Sequence, residues 1–164
     1  MILHGLLLFL LCLAGSAQAR ETFAGQVTYV TDGDTLWVQP DRGGVARKLR
    51  LTGMDAPEIC QRGGKAARDL LAQLALHRRV VVSVAYVDRY GRGLATAEVE
   101  GHDLAAQMVR AGYAWSDGWR GRRGRYAAEE AYARQARLGV FVALRPESPQ
   151  AFRKRHGSCH AGTR

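Results

Sequence analysis

The chain has 164 residues, which suits one domain with one hydrophobic core, and it contains no visible internal repeat or second domain. Its apolar fraction of 47% and charged fraction of 24% are typical of an ordinary globular protein. Lysine and arginine number 24 against 15 acidic residues, giving a net charge of +9 and a pI near 10.1. This balance favours a polyanionic partner such as nucleic acid, acidic polysaccharide or an anionic membrane. Charge alone does not separate these partners from a merely soluble basic surface.

The N-terminus has the pattern of a secretion signal. Residues 5–14 form an almost wholly apolar run, shorter than the roughly 20 residues that span a bilayer. An Ala-Gln-Ala sequence ending at Ala19 fits the small-x-small cleavage rule, so we predict a signal peptide over 1–19 and a secreted or periplasmic chain without membrane attachment. No Lys or Arg precedes the run, so an uncleaved anchor is the alternative. A lipoprotein is disfavoured because Cys12 lies inside the run.

Two cysteines remain after cleavage, Cys60 and Cys159, an even number in an export context. Cys60 lies two residues after Glu58, and Cys159 lies near the C-terminus. We predict a disulfide between them that ties the tail against the turn containing Glu58. Two unpaired thiols are the alternative.

In chain order, β-branched and aromatic residues predict strands over 23–30, 36–38, 45–52, 79–87 and 94–99. Asp-Gly at 32–33, the glycine pair at 43–44 and the segment 88–93 predict the turns between strands. In the third strand, Leu49 and Leu51 share one face and Arg50 lies on the other.

Helices are predicted over 65–76, from about 103 to a stop at Gly112, and over about 126–138 with a stop at Gly139. Residues 61–64 are expected to form a flexible link before the first helix. The strand and helix order predicts an α+β fold over 20–144, with the five-stranded OB-fold barrel as the natural candidate. Strand count alone leaves other small α+β folds open. Residues 145–164 form a basic C-terminal tail without apolar periodicity.

Three of the predicted turns carry side chains that suit a metal and phosphate site. Asp34 and Asp55 are short carboxylates of the kind that Ca²⁺ or Mg²⁺ prefers, and the lack of a His/Cys cluster argues against zinc. Glu58 has a longer arm that could reach a water beside a metal. Arg50 and Arg92 offer planar donor forks for a phosphate. Each residue alone is better explained by a turn or a surface charge, but their joint presence on three turns favours a phosphodiesterase site.

Taken together, these motifs resemble the staphylococcal nuclease (thermonuclease) family. The matching segments are Asp32-Gly33-Asp34-Thr35, then Leu49-Arg50-Leu51 followed by Asp55-Ala56-Pro57-Glu58, and Asp88-Arg89-Tyr90-Gly91-Arg92-Gly93-Leu94-Ala95. The likeness continues to Leu138-Gly139-Val140-Phe141 and so covers about residues 23–141.

The resemblance implies an OB-fold nuclease that cleaves DNA and RNA with Ca²⁺, as a monomer without a stable protein partner. Calcium would be held by Asp34, Asp55 and the backbone carbonyl of Ala56. Glu58 would be the general base, Arg50 and Arg92 would hold the phosphate and its transition state, and Arg89 and Tyr90 would line the substrate site. Water attacks phosphorus in this family, and the 5′-oxygen bond breaks to leave 3′-phosphates.

The chain departs from the family pattern at three places. Ala56 stands where threonine is frequent, and because the carbonyl is the ligand, metal binding should survive. The segment between Glu58 and the first helix is shorter than in the type member. The region of Trp115 and Trp119 aligns only loosely with the family's base-stacking tyrosines, and Trp115 is equally well explained as core.

Two other classes of function are weighed against an enzyme. Some domains of this fold bind nucleic acid or protein without cutting, and a catalytically weak OB-fold binding module is therefore the alternative. A secreted adhesin or polysaccharide-binding protein is suggested by charge alone. The filled catalytic positions favour a nuclease. Arginines 120, 122, 123 and 125 form either a phosphate-tracking surface or a solvated basic loop.

Overall fold

A computed structural model describes residues 21–118 and 122–159. The predicted signal peptide over 1–19 lies outside these ranges, as do Trp119 and Arg120. None of the helices in the described ranges combines the length and the apolar character needed to cross a membrane.

Five strands close into a barrel. The strands of the described residues are, in chain order, β1 (Glu21–Val30), β2 (Thr35–Pro40), β3 (Arg47–Leu51), β4 (Met54–Asp55), β5 (Arg79–Val87), β6 (Gly93–Val99), β7 (His102–Asp103) and β8 (Trp115–Ser116). The barrel has the order β3-β2-β1-β5-β6 with antiparallel neighbours, and parallel pairing of β3 with β6 closes it. The predicted α+β fold with a five-stranded OB-fold barrel is confirmed.

The barrel core follows the two-residue period of the strands. Leu49 and Leu51 of β3 are fully buried, whereas Arg50 between them is partly exposed on the other face. Gly93 of β6 pairs with Leu49, and a Cβ at this glycine would lie 2.9 Å from Leu49 Cδ2. The glycine therefore lets β3 and β6 approach closely enough to close the barrel.

Helices cover the barrel and one of its ends. Those of the described residues are α1 (Gly64–Ala75), α2 (Leu104–Arg110), α3 (Ala127–Gln135) and α4 (Pro149–His156), with a 3₁₀ helix over Gly139–Val142. The first three lie where the sequence predicts helices. Helix α3 ends earlier than predicted, because Arg137 adopts φ 52° and the N–H of Leu138 donates back to the carbonyl of Ala133 at 2.9 Å. This is the bonding of a helix C-terminal cap, here with arginine where glycine is usual.

Helix α4 lies in the basic C-terminal tail, where the sequence shows no apolar periodicity and no helix was predicted. The hydroxyl of Ser148 accepts from the N–H of Ala151 at 3.3 Å, and Pro149 occupies the first turn, so the helix has a regular start. Its eight residues are mostly basic or polar, so no apolar stripe reveals it in the sequence. A helix this short is held by tertiary contacts.

Candidate active site

The turn between β1 and β2 carries Asp34, whose carboxylate is buried. The backbone N–H of Asp34 donates to Asp32 Oδ1 at 3.1 Å, and the backbone carbonyl of Asp34 accepts from the N–H of Leu51 at 2.8 Å. The second bond ties this hairpin to the end of β3. The hydroxyl of Thr35 donates to Asp34 Oδ1 at 2.8 Å, and Asp34 is 5% exposed. The carboxylate is therefore fixed at the end of the barrel where the chain leaves β3.

The turn after β3 carries Asp55 and Glu58. Gly53 has φ +79°, which glycine adopts without steric cost, and the chain reverses there into β4. Asp55 of β4 pairs with Trp115 of β8, which fixes the backbone that carries this carboxylate. The side chains of Asp55 and Glu58 are 15% and 14% exposed. Both carboxylates therefore need a cationic partner to offset their partial loss of water.

Arg50 joins two of these carboxylates. Its guanidinium donates to Asp34 Oδ2 and, at 3.1 Å, to Asp55 Oδ1. Burial raises the pKa of Asp34 to about 7, and the charge of Arg50 offsets only part of that effect. Burial lowers the pKa of Arg50, but the charges of Asp34 and Asp55 outweigh burial and the net shift is upward. Arg50 is therefore a permanent cation between two carboxylates.

The glycine turn between β5 and β6 holds Arg92. Asp88 Oδ1 accepts from the N–H groups of Tyr90 and Arg92 at 2.9 and 3.0 Å, and Oδ2 accepts from Arg92 Nε at 2.9 Å. Burial raises the pKa of Asp88, but the hydrogen bonds from Arg92 and Tyr90 outweigh it and hold the pKa below its usual value. Arg89 lies over the ring of Tyr90, 4.8 Å from the centroid, and Tyr90 is 66% exposed. This turn therefore presents Arg89 and the ring of Tyr90 to solvent, whereas the Arg92 side chain is 24% exposed.

In the described residues, Arg92 is bonded to Asp88 rather than to Asp34, Asp55 or Glu58. The register of β3 against β6 pairs Arg50 with Leu94, and Arg92 lies two residues before Leu94, in the turn that precedes β6. The structure thus links Arg50, Asp34 and Asp55 directly, whereas Arg92 is held on the separate turn that contains Asp88.

Gln61 fixes the segment after Glu58, which the sequence predicted as a flexible link. Its Oε1 accepts from the N–H of Glu58 at 3.2 Å, and its Nε2 donates to the carbonyl of Glu147 at 2.8 Å. Gln61 is 7% exposed. The short segment is therefore a closed turn. Sequence reasoning missed this residue because a lone polar side chain before two glycines carries no periodic signal.

Arg153 of α4 is the largest addition that the structure makes to the site. Its Nη1 and Nη2 donate to Asp55 Oδ1 at 3.1 Å and Oδ2 at 2.8 Å, and Nη1 also donates to Glu58 Oε1 at 3.0 Å. Hydrogen bonding to Asp55 raises the pKa of Arg153 more than burial lowers it. The cysteine pattern was the one sequence signal that brings the tail to this turn.

The tail is anchored beside Arg153 by a disulfide between Cys60 and Cys159, whose Cα atoms are 5.9 Å apart. The N–H of Cys60 also donates to Cys159 Sγ at 3.1 Å. Before the start of α4, the backbone carbonyl of Glu147 accepts from Gln61. Bonds on both sides of α4 therefore set the position of Arg153.

The predicted calcium ligands supply hard oxygens but no closed cage. In the described part of the chain, no three His, Cys, Asp or Glu side chains are grouped so that they could hold a metal ion. Asp34 and Asp55 are paired with guanidinium groups, so the pair already attracts positive charge. Ala56, whose carbonyl was predicted as a ligand, is buried beside Asp55. Carboxylate and carbonyl oxygens are the donors that Ca²⁺ takes in proteins, and with only three of them water would have to supply the remaining ligands.

A cavity of about 540 Å³ adjoins the site on the side of Gln61. Its lining includes Trp115, Val140 and Phe152, so it lies between the barrel end and α4. Trp115 is half-buried and meets the ring of Phe141 edge-on at 5.3 Å. This packing agrees with the interpretation of Trp115 as core, whereas Trp119 lies outside the described residues.

Comparison with known proteins matches most of the chain to one family. A family model described as "Staphylococcal nuclease homologue" matches residues 48–142. The chain is 32% identical over 150 residues to the "Micrococcal nuclease" of Shigella flexneri, covering 85% of each protein. It is 32% identical over 154 residues to "Protein ParB" of Escherichia coli, covering 85% of this chain and 84% of that one. It is 29% identical over 139 residues to an "Uncharacterized endonuclease" of Haemophilus influenzae, covering 85% and 78%.

The matched span runs from β3 through the second and third turns to the 3₁₀ helix, and so contains Arg50, Asp55, Glu58 and Arg92. The first turn, with Asp34, precedes it and is joined to it through the hydrogen bond to Leu51. By the extent of both matches, the chain belongs to the staphylococcal nuclease homologue family.

Proposed function

We propose that the protein is a calcium-dependent nuclease that hydrolyses phosphodiester bonds of DNA and RNA. The observation that carries this proposal is the convergence of Arg50, Asp34 and Asp55 beside Glu58 at one end of the barrel. A relative covered over 85% of its length is named a micrococcal nuclease, which supports the reaction class. The net charge of +9 supports a polyanionic substrate.

Glu58 is proposed as the general base. It takes a proton from a water molecule as the water oxygen bonds to phosphorus. The bond from phosphorus to the 5′-oxygen breaks, this oxygen takes up a proton, and a 3′-phosphate remains. Gln61 fixes the backbone of Glu58, so the direction in which its side chain leaves the turn is constrained.

Arg50 and Arg92 are proposed to hold the phosphate and to stabilise the charge that grows on it during attack. Asp88 accepts from Nε of Arg92, which fixes the plane of the guanidinium and leaves other N–H groups for a substrate. Arg89 and Tyr90, exposed on the same turn, are proposed to contact the neighbouring nucleotide.

The carboxylates of Asp34 and Asp55 and the carbonyl of Ala56 are proposed to hold Ca²⁺, which when bound adds positive charge that stabilises the phosphate in the transition state. Burial of Asp34 places one ligand where little water competes for it. Thr35 orients this carboxylate by donating to one of its oxygens.

We further propose that residues 1–19 are a cleaved export signal and that the mature protein is a secreted or periplasmic monomer. The disulfide between Cys60 and Cys159 supports an oxidising compartment.

Cleavage of plasmid DNA and of RNA, with Ca²⁺ and with a chelator, tests the proposal. We expect Ca²⁺-dependent cleavage by the parent chain and its loss in Glu58→Gln, with DNA binding retained. Binding by the parent chain without cleavage would favour the catalytically weak binding module. Binding of acidic polysaccharide with no effect on DNA would favour the adhesin class.

A further inference from the structure

The C-terminal helix brings a cation of its own to the candidate active site. We propose that α4 is an autoinhibitory element in which Arg153 competes with the divalent cation for Asp55 and separates Glu58 from substrate water. The inference rests on the proposed function, because it takes Asp55 as a metal ligand and Glu58 as the base.

The contacts of Asp55 exclude a metal ion while Arg153 is docked. Both of its oxygens accept from the two Nη atoms of Arg153, at 3.1 and 2.8 Å, and Oδ1 also accepts from Arg50. A carboxylate has about four lone-pair positions, and three are used here. A divalent cation at the remaining position would lie beside two guanidinium charges and would be repelled by both. The docked arginine and the metal ion are therefore alternatives.

Arg153 also contacts Glu58, the proposed general base. Its Nη1 donates to Glu58 Oε1 at 3.0 Å. The guanidinium therefore lies at one of the two oxygens that would take the proton from water. The same side chain thus contacts both the proposed metal ligand and the proposed base.

The contact of Arg153 with Asp55 and Glu58 can be released without unfolding the barrel. The Arg153 side chain is 34% exposed, and the apolar residues of α4 that are shielded from water are Pro149, which is buried, and Phe152, which is half-buried. Undocking therefore exposes the apolar surface of two side chains and leaves the barrel core intact. The disulfide at Cys159 keeps the helix close to Cys60 after it leaves. A tethered competitor acts at a high effective concentration that dilution of the protein does not lower.

The same helix contains a matched control. Arg155 lies two residues after Arg153, carries the same charge, is 63% exposed and pairs with Glu147 rather than with Asp55 or Glu58. Replacing it removes one positive charge from α4 and leaves the proposed contact intact.

Calorimetric titration of Ca²⁺ into the oxidised full chain tests the proposal. If Arg153 is docked for 90–99% of the time, Arg153→Gln should bind Ca²⁺ about 10–100-fold more tightly than the parent. Arg155→Gln should bind with the affinity of the parent. Arg153→Lys, which keeps the charge but loses the fork, should fall between the parent and Arg153→Gln.

A second readout does not depend on turnover. In the parent chain, the Nε–H resonance of Arg153 should shift as Ca²⁺ is added, with the same midpoint as the calorimetric titration. Equal or weaker Ca²⁺ affinity in Arg153→Gln would overturn the competition while leaving the calcium proposal standing. Absence of Ca²⁺ binding in all of these proteins would overturn the calcium proposal and the competition with it.

Discussion

Gln61 and Glu58 are joined by two reciprocal hydrogen bonds. Gln61 Oε1 accepts from the N–H of Glu58 at 3.2 Å, and the N–H of Gln61 donates to the carbonyl of Glu58 at 2.8 Å. The free end of the same amide reaches the carbonyl of Glu147. One buried side chain therefore sets the backbone of the proposed base and connects it to the tail that carries Arg153.

Gln61→Leu should lower kcat with little change in KM. The leucine fills similar space but cannot accept from Glu58, and removing such an outer hydrogen bond to a functional group costs about 10–100-fold. Steady-state cleavage of a short oligonucleotide measures both constants. Gln61→Glu keeps the accepting oxygen and should retain more activity than the leucine variant. Gln39→Leu removes a glutamine that bonds Gly44 on the β2–β3 turn and serves as the control. An equal loss of kcat in Gln39→Leu would show that Gln61 has no specific role in positioning Glu58.

Arg92→Ala should lose about 10²–10³ in cleavage rate, because one donor to the transition state is removed. DNA affinity should change much less, since Arg50 remains. Arg79→Ala is the matched control: Arg79 also pairs with one aspartate, Asp41, but lies on β5 with its side chain 69% exposed. Single-turnover cleavage at saturating enzyme measures the rate of the phosphodiester cleavage step itself. A parental rate in Arg92→Ala would show that its assignment from the family pattern does not hold in this chain.

The barrel was predictable because its signals are local and periodic. The alternation of Leu49, Arg50 and Leu51 predicts which face of β3 is buried. The turn residues on either side of the strand predict where it begins and ends. The carboxylate cluster followed from the joint motifs. Arg153 was not predictable, since it reaches Asp55 from 98 residues away on a helix without an apolar stripe. Contacts that depend on a single long-range ion pair leave no pattern along the chain.

Asp34 and Asp88 should respond to pH in opposite directions. Without bound cation, the pKa of Asp34 is about 7 against an ordinary value near 4, because the carboxylate is buried. Folded Asp34 then keeps a proton between about pH 4 and 7 that the unfolded chain releases, so its contribution to stability falls as the pH rises through that window. For Asp88, whose pKa is lowered, stability is present above about pH 4 and is lost as the pH falls through the lower, folded pKa.

Melting temperatures in chelator at pH 8 and pH 5 test this contrast. At pH 8, Asp34→Asn should raise the melting temperature by a few degrees, and Asp88→Asn should lower it by a similar amount. At pH 5 the effect of Asp34→Asn should shrink, because the parent is already protonated there. Destabilisation by Asp34→Asn at both pH values would mean that its ionised pair with Arg50 dominates over burial.

Arg122 and Arg123 are exposed on the segment before α3, where they form either a phosphate-tracking surface for single-stranded nucleic acid or a solvated basic loop. If they track phosphates, reversing both charges should weaken binding and make its salt dependence shallower by about 0.7 in log–log slope for each phosphate that is no longer neutralised. Fluorescence anisotropy at several salt concentrations measures both quantities. Reversal of Arg42 and Arg79 changes the net charge equally on other surfaces. If that control weakens binding as strongly, the solvated-loop interpretation is preferred.

The disulfide should have two separate effects: it stabilises the fold, and it lowers calcium affinity by keeping Arg153 close to Asp55. It joins residues separated by 99 positions, and a closed loop of that size stabilises by roughly 4–5 kcal/mol through the unfolded chain, with real values often smaller. Cys159→Ser should therefore lower the melting temperature. Mass spectrometry of the alkylated exported protein, which has lost Cys12 with the signal peptide, should find no free thiol before reduction.

Loss of the tether also frees α4 from the turn that carries Glu58, so the effective concentration of Arg153 at Asp55 falls. Calcium affinity in Cys159→Ser should accordingly rise toward that of Arg153→Gln, although the fold is less stable. The two changes should not add: in the Arg153→Gln background, Cys159→Ser should leave calcium affinity unchanged, because no competitor remains to be released. A further gain in affinity in the double variant would place the effect of the disulfide in the turn at Cys60 itself rather than in the tethered arginine.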